Sequence, residues 1–205
     1  MTANVADDVL GRFSRHQHDT YERVRKGSLN PETVMRAMQQ VIDASPLERI
    51  WKTITLGTGL KTADEFRKAL ENNGFRISNW GNDILGKPAF KAATEKTEVD
   101  LVNISVAELG FKDGATRKDI YERAISLGLE LCPNEVGPQL RLQYKDQPNG
   151  EWLRIAMEPI TDSDGYLRVF LVVHDDDGLW LDGYYGRPDN FWDGHYHFVF
   201  VRPRK

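Results

Sequence analysis

From Glu151 to Arg202 the chain alternates β-forming runs with turn dipeptides. The runs Glu151–Ile160, Tyr166–His174, Leu179–Tyr185 and His195–Arg202 are punctuated by Asp164-Gly165, Asp177-Gly178 and Asp193-Gly194. Asp-Gly supplies the positive backbone angles that tight hairpins demand, so this spacing predicts an antiparallel meander. Nine residues, Gly186 to Gly194, precede its last strand. A sheet of this kind must bury one face, and the residues before it carry helix signals.

Val5 to Lys26 places Val9, Phe13, Gln17, Tyr21 and Val24 at mostly helical spacing, with Gly27 as a stop. Asn30-Pro31-Glu32 offers an N-cap, a proline at the first helical position and an acid in the first turn. Val34, Met35, Met38, Val41 and Ile42 then share one face, and Pro46 should end the helix. Leu47–Leu56 has the content of a strand. Thr62 and Glu65 form a capping box for a helix through Phe66, Ala69 and Leu70 to Gly74. A short helix over Ser78–Leu85, a strand over Glu98–Val106 and a helix from Thr116 to Gly128 follow. Cys132-Pro133 and Gly137-Pro138 break Leu129–Leu142 into loop and short helix, feeding a strand over Leu140–Tyr144.

The expected fold class is therefore α+β, with N-terminal helices packed on one face of a mainly antiparallel sheet formed largely by the C-terminal half. Residues 1–46 read as a helical hairpin or extension, and residues 47–205 as a core domain ending in the meander.

At Gly128–Ile160, GLELCPNEVGPQLRLQYKDQPNGEWLRIAMEPI, the chain resembles a group of uncharacterised bacterial proteins sharing this kind of segment. The resemblance implies a bacterial cytoplasmic setting and carries no chemistry or site residues with it.

Composition narrows the function classes. A single cysteine, Cys132, excludes an intramolecular disulfide framework and a multi-cysteine zinc site, as expected of a reducing compartment. The N-terminus shows no apolar run behind a basic start, and no run approaches the roughly 20 apolar residues that span a bilayer. The reading is cytoplasmic, with no membrane partner. Arg12, Arg15, Arg23, Arg25 and Lys26 outweigh Asp19 and Glu22 near the start, while residues 158–193 carry nine acids against Arg168 and Arg187. Phosphate binding needs a positive track, so the acidic C-terminal half argues against nucleic acid there.

Several constellations are candidates for chemistry. His195 and His197 lie two apart on an expected strand and should share a face; His174 or Asp193 would complete a site for a divalent transition metal. Asp162-Ser163-Asp164-Gly165 and Asp175-Asp176-Asp177-Gly178 resemble fragments of calcium loops but lack the closing glutamate, so hairpin turns account for both. Aromatic density is high in the same region. Trp180, Tyr184, Tyr185, Phe191, Trp192, Tyr196 and Phe198 are interleaved with Arg187, Asn190 and acids, the equipment of either a core or a ligand platform. Trp180, Tyr185, Arg187, Asn190, Phe191 and Trp192 are the candidate ligand contacts, because binding residues concentrate on loops. Cys132 before proline reads as a buried, inert thiol, and Gly57-Thr58-Gly59-Leu60 as a turn lacking the lysine of a phosphate loop.

Three functions fit these residues. The leading one is non-catalytic binding of a small molecule or protein through the aromatic loop. The second is a metal-dependent hydrolase in which His195 and His197 help hold a metal that activates water. The third is homodimerisation through the N-terminal helices.

Overall fold

The computed structural model describes residues 3–43 and 49–204. Contacts divide the chain into two units, Met1–Glu48 and Arg49–Lys205. The first contains helices α1 (Ala3–Arg25) and α2 (Pro31–Asp43). Gly27, at φ 72°, ends the turn after α1. The Asn30 Oδ1 then accepts the backbone N–H groups of Glu32 (2.8 Å) and Thr33 (3.3 Å), which fixes the start of α2 where the sequence places it. The expected stop before Pro46 lies outside the described residues.

The second unit follows the order β1 (Lys52–Leu56), α3 (Ala63–Asn72), β2 (Arg76–Ile77), α4 (Asn79–Leu85), β3 (Thr97–Ser105), β4 (Ala115–Thr116), α5 (Arg117–Ser126), α6 (Val136–Gln143), β5 (Trp152–Ile155), β6 (Ile160–Thr161), β7 (Leu167–Asp175), β8 (Gly178–Tyr185), β9 (Phe191–Trp192) and β10 (His197–Arg202). The fold is α+β. An eight-stranded sheet runs β1-β3-β10-β5-β7-β8-β2, with β6 paired to β7, and a two-stranded ribbon joins β4 to β9. Pairing is mostly antiparallel; β10 with β5 and β8 with β2 are parallel.

Local chemistry sets several of these elements. The Thr62 hydroxyl accepts Glu65 N–H (3.3 Å) while the Glu65 carboxylate accepts Thr62 N–H (2.9 Å) and Lys61 N–H (2.7 Å). Asp175 and Gly178 pair across the β7–β8 hairpin, with Gly178 at φ 121°. Alternation on the strands then splits the core. Ile54, Leu101, Leu153, Val172 and Val199 pack with Phe66, Leu70, Ile84, Leu85, Val136 and Leu140 from α3, α4 and α6. Phe198 and Phe200 alternate with Val199, and their rings meet Tyr121 of α5 at 6.2 and 5.9 Å.

Three sequence expectations are corrected. Helices lie against both faces of the sheet rather than one, because both faces of β10 are apolar and each needs a cover. The meander ends at β8: the last strand begins at His197 and lies between β3 and β5, so the connection from β8 passes over β5 and β7. Leu140–Tyr144 is no strand, since α6 runs through Gln143. Pro138 sits in the first turn of α6, where the N–H it lacks would have no helical partner. The helix also protects an edge. The Gln143 amide donates to Thr55 O (2.8 Å) and accepts from Thr55 N–H (2.9 Å), occupying part of the free side of β1.

Candidate functional site

The loop after β8 is held by another element's needs. The first N–H groups of α5, those of Arg117 and Lys118, donate to Asn190 O (2.8 Å) and Pro188 O (3.1 Å). Within the loop the Asn190 side chain accepts Arg187 N–H (2.9 Å), and Arg187 forks onto Asp189 at 3.0 and 2.9 Å. Phe191 is exposed, whereas Trp192 is 5% exposed. The Trp192 ring is enclosed by Tyr184 (5.4 Å), Tyr196 (5.5 Å) and Phe198 (5.9 Å).

The candidate ligand contacts do not share one surface. Trp180 donates from Nε1 to Asp175 (3.1 Å) and lines a shallow hollow with Glu71, Phe75 and Arg76. Tyr185 stands with Trp80 (6.1 Å) beside Arg168, whose guanidinium lies 4.0 Å from the Trp80 ring and 5.1 Å from Tyr185. Arg168 is itself paired with Asp162 at 2.8 Å in a buried salt bridge.

Of the candidate metal ligands, His195 and His197 line one cleft but no third ligand completes a set with them among the described residues. His174 Nδ1 meets the Gln147 carbonyl (2.5 Å), His197 Nδ1 meets Asn103 Oδ1 (3.0 Å), and His195 stacks on Tyr196 at 4.4 Å. Asp193 is exposed on the loop. Among the described residues no group of three or more His, Cys, Asp or Glu side chains stands close enough to hold a metal ion. The acidic turns serve the backbone: Asp162 accepts Asp164 N–H (3.0 Å) and Tyr166 N–H (2.7 Å), and Asp175 accepts Asp177 N–H (3.0 Å). Cys132 is buried, and desolvation raises its thiol pKa.

The parallel pairing of β10 with β5 does assemble a site. It sets His197 beside Leu153 and brings the residues before both strands to one end of the sheet. There a cleft of about 640 Å³ is lined by Asn149, Gly150, Glu151, Trp152, Arg154, Tyr184, His195, Tyr196 and His197. Of these, only His195 and His197 are candidate site residues from the sequence; Trp152, Arg154, Glu151, Tyr184 and Tyr196 are not. The single available signal was one arginine inside an apolar run, Leu153-Arg154-Ile155.

Arg154 is the buried cation of this cleft. It is 2% exposed. Its guanidinium carbon lies 4.2 Å from the Tyr196 ring centre, 4.9 Å from Trp192 and 5.4 Å from Tyr184. Nη1 donates to Trp152 O at 3.3 Å, while Nε is buried with no acceptor. Burial pushes its pKa down to about 10, with Tyr184 and Tyr196 opposing that fall. Glu151, the acid on the wall, acts on Tyr144 and Arg141 and raises the proton affinity of both.

No family model, no curated protein and no solved structure matches this chain. Among the described residues no helix is long and apolar enough to cross a membrane.

Proposed function

We propose that the protein is a non-catalytic binder whose ligand enters the cleft between the starts of β5 and β10. One observation carries this reading. A concave space of about 640 Å³ combines the Trp152, Tyr184 and Tyr196 rings with the polar groups of Glu151, Arg154, His195 and His197, drawn from three separate chain segments. Rings supply area at low entropic cost, and a few convergent polar groups fix orientation. The reading keeps the C-terminal aromatic region as the binding element but moves its centre from the Trp192 loop tip to the wall of β5. A bacterial cytoplasmic setting belongs to the same proposal, motivated by the Gly128–Ile160 segment and the single thiol.

The test is a small-molecule panel read by thermal shift, repeated on Trp152→Ala. Trp152 is 41% exposed, so its truncation should leave the fold intact. Ligands that stabilise the wild type and lose that effect in the variant support the reading. Ligands that stabilise both equally place the site elsewhere.

A second reading, homodimerisation through α2, is favoured by Met35 and Met38, which are 67% and 45% exposed. Met38→Glu should then lower the solution mass to that of a monomer. An unchanged mass removes it.

A further inference from the structure

We infer that the cleft is built for a ligand bearing an oxyanion, a carboxylate or a phosphate, which docks on Arg154 while its body lies against the rings. This rests on the proposed binding cleft and names the chemistry it selects.

A buried guanidinium without a carboxylate is costly, because removing a cation from water is repaid only by partners. Among the described residues Arg154 has no ion-pair partner; Arg141, Arg154 and Arg168 each bury one side-chain nitrogen without an acceptor, so the contrast between them lies in their other partners. The other two buried arginines show what this chain does when the role is structural. Arg168 is clamped by Asp162 at 2.8 Å. Arg141 donates to Gln147 Oε1 and the Tyr144 and Val173 carbonyls, with Glu151 reinforcing its charge. Arg154 has one backbone carbonyl, the Tyr184 side chain, three ring faces and an open cleft, with no carboxylate. Ring faces hold a cation in place, at about 0.5–2 kcal/mol each, yet they leave its N–H groups unused. The planar fork of donors matches two oxygens of one carboxylate or phosphate.

The neighbours fit that assignment. Glu151 lines the cleft but is engaged by a hydrogen bond with Tyr144 and by the charge of Arg141, while its Oε2 has no hydrogen-bond partner. His195 and His197 also line the cleft, and Glu151 is the one carboxylate among its lining residues. The acidic turns nearby repel an anion only through screened solvent, which weakens over about a Debye length, while the Arg154 contact is made in a desolvated site.

The experiment uses the whole chain, labelled with nitrogen-15, titrated with matched pairs of aromatic acids and their amides (phenylacetate with phenylacetamide, for example) and separately with inorganic phosphate. The Arg154 Nε–H and tryptophan indole resonances are followed. The inference expects the acid or phosphate to shift Arg154 Nε–H saturably and each amide to bind at least about tenfold more weakly, the loss of a charge-assisted bond. The acid and phosphate arms distinguish the two head groups. Amides that bind as tightly as their acids overturn the oxyanion assignment and leave the binding cleft standing. Acids that move other resonances but not Arg154 overturn it as well. If no probe moves any resonance of the cleft, both readings fail. Arg154→Met, where it folds, should erase the acid preference; the wild-type titration decides the question if it does not fold.

Discussion

The Tyr121 hydroxyl pairs with both backbone groups of Met157, donating to its carbonyl at 3.3 Å and accepting its N–H at 3.2 Å. Met157 lies between β5 and β6, in an isolated parallel bridge with Cys132. Tyr121→Phe leaves a buried donor and a buried acceptor unpaired. The expected loss is about 1–3 kcal/mol, read as a lower urea midpoint with unchanged slope.

Glu135 is fully buried and joins three separate segments. Its carboxylate accepts Gly57 N–H (3.0 Å), Ala93 N–H (2.6 Å) and the Gln139 amide (2.9 Å). Glu135→Gln keeps the shape but turns an NH₂ group toward donors. Chemical denaturation should show a loss of about 2–4 kcal/mol, and a change under about 0.5 kcal/mol would mean the three bonds contribute little.

Trp192 distinguishes core from binding residue. Its ring is enclosed on one side by Tyr184, Tyr196 and Phe198, with Arg154 at 4.9 Å. Trp192→Ala is expected to cost about 3–5 kcal/mol of stability before any ligand is added. A variant as stable as the wild type would return Trp192 to the ligand surface.

Acid should weaken the β1–β3 edge in a defined window. Asp100 accepts from Arg204 at 2.8 and 2.9 Å and from the Thr53 hydroxyl at 2.6 Å, and these bonds hold its carboxyl at about 2. A depressed folded pKa means the contribution is full above the ordinary aspartate value of about 3.9 and is lost as pH falls toward 2. Arg204 is half exposed, so we expect roughly 1–2 kcal/mol. The stability gap between wild type and Asp100→Asn should close between about pH 4 and pH 2, and a gap constant across that range would exclude the linkage.

Short-range signals were the legible ones. Asn30, Thr62 with Glu65, and Thr116 each start a helix by bonding within three residues, and Asp175 to Gly178 closes its hairpin locally. The sheet order was not legible, because the place of β10 depends on pairing with Ser105 and Leu153, which no local pattern encodes. The short helix expected after Leu129 is present as α6, but it runs to Gln143 and displaces the expected strand over Leu140–Tyr144, because Gly137-Pro138 in its first turn costs little. The same divide runs through the site: the histidines and tyrosines near its end stand close in sequence, but Trp152 and Arg154 reach them only across the β5–β10 ladder. No sequence rule marks Arg154 as lacking a carboxylate, since that is a property of its neighbours in space.

The position of β10 has a consequence for synthesis. The strand that separates β3 from β5 is the last of the sheet in chain order, so until residues 197–202 are in place β1-β3 and β5-β7-β8-β2 have no ladder joining them. Any chain halted before His197 would carry two open edges instead of one joined sheet, and quality control would meet it as an aggregation-prone species rather than as a shortened protein.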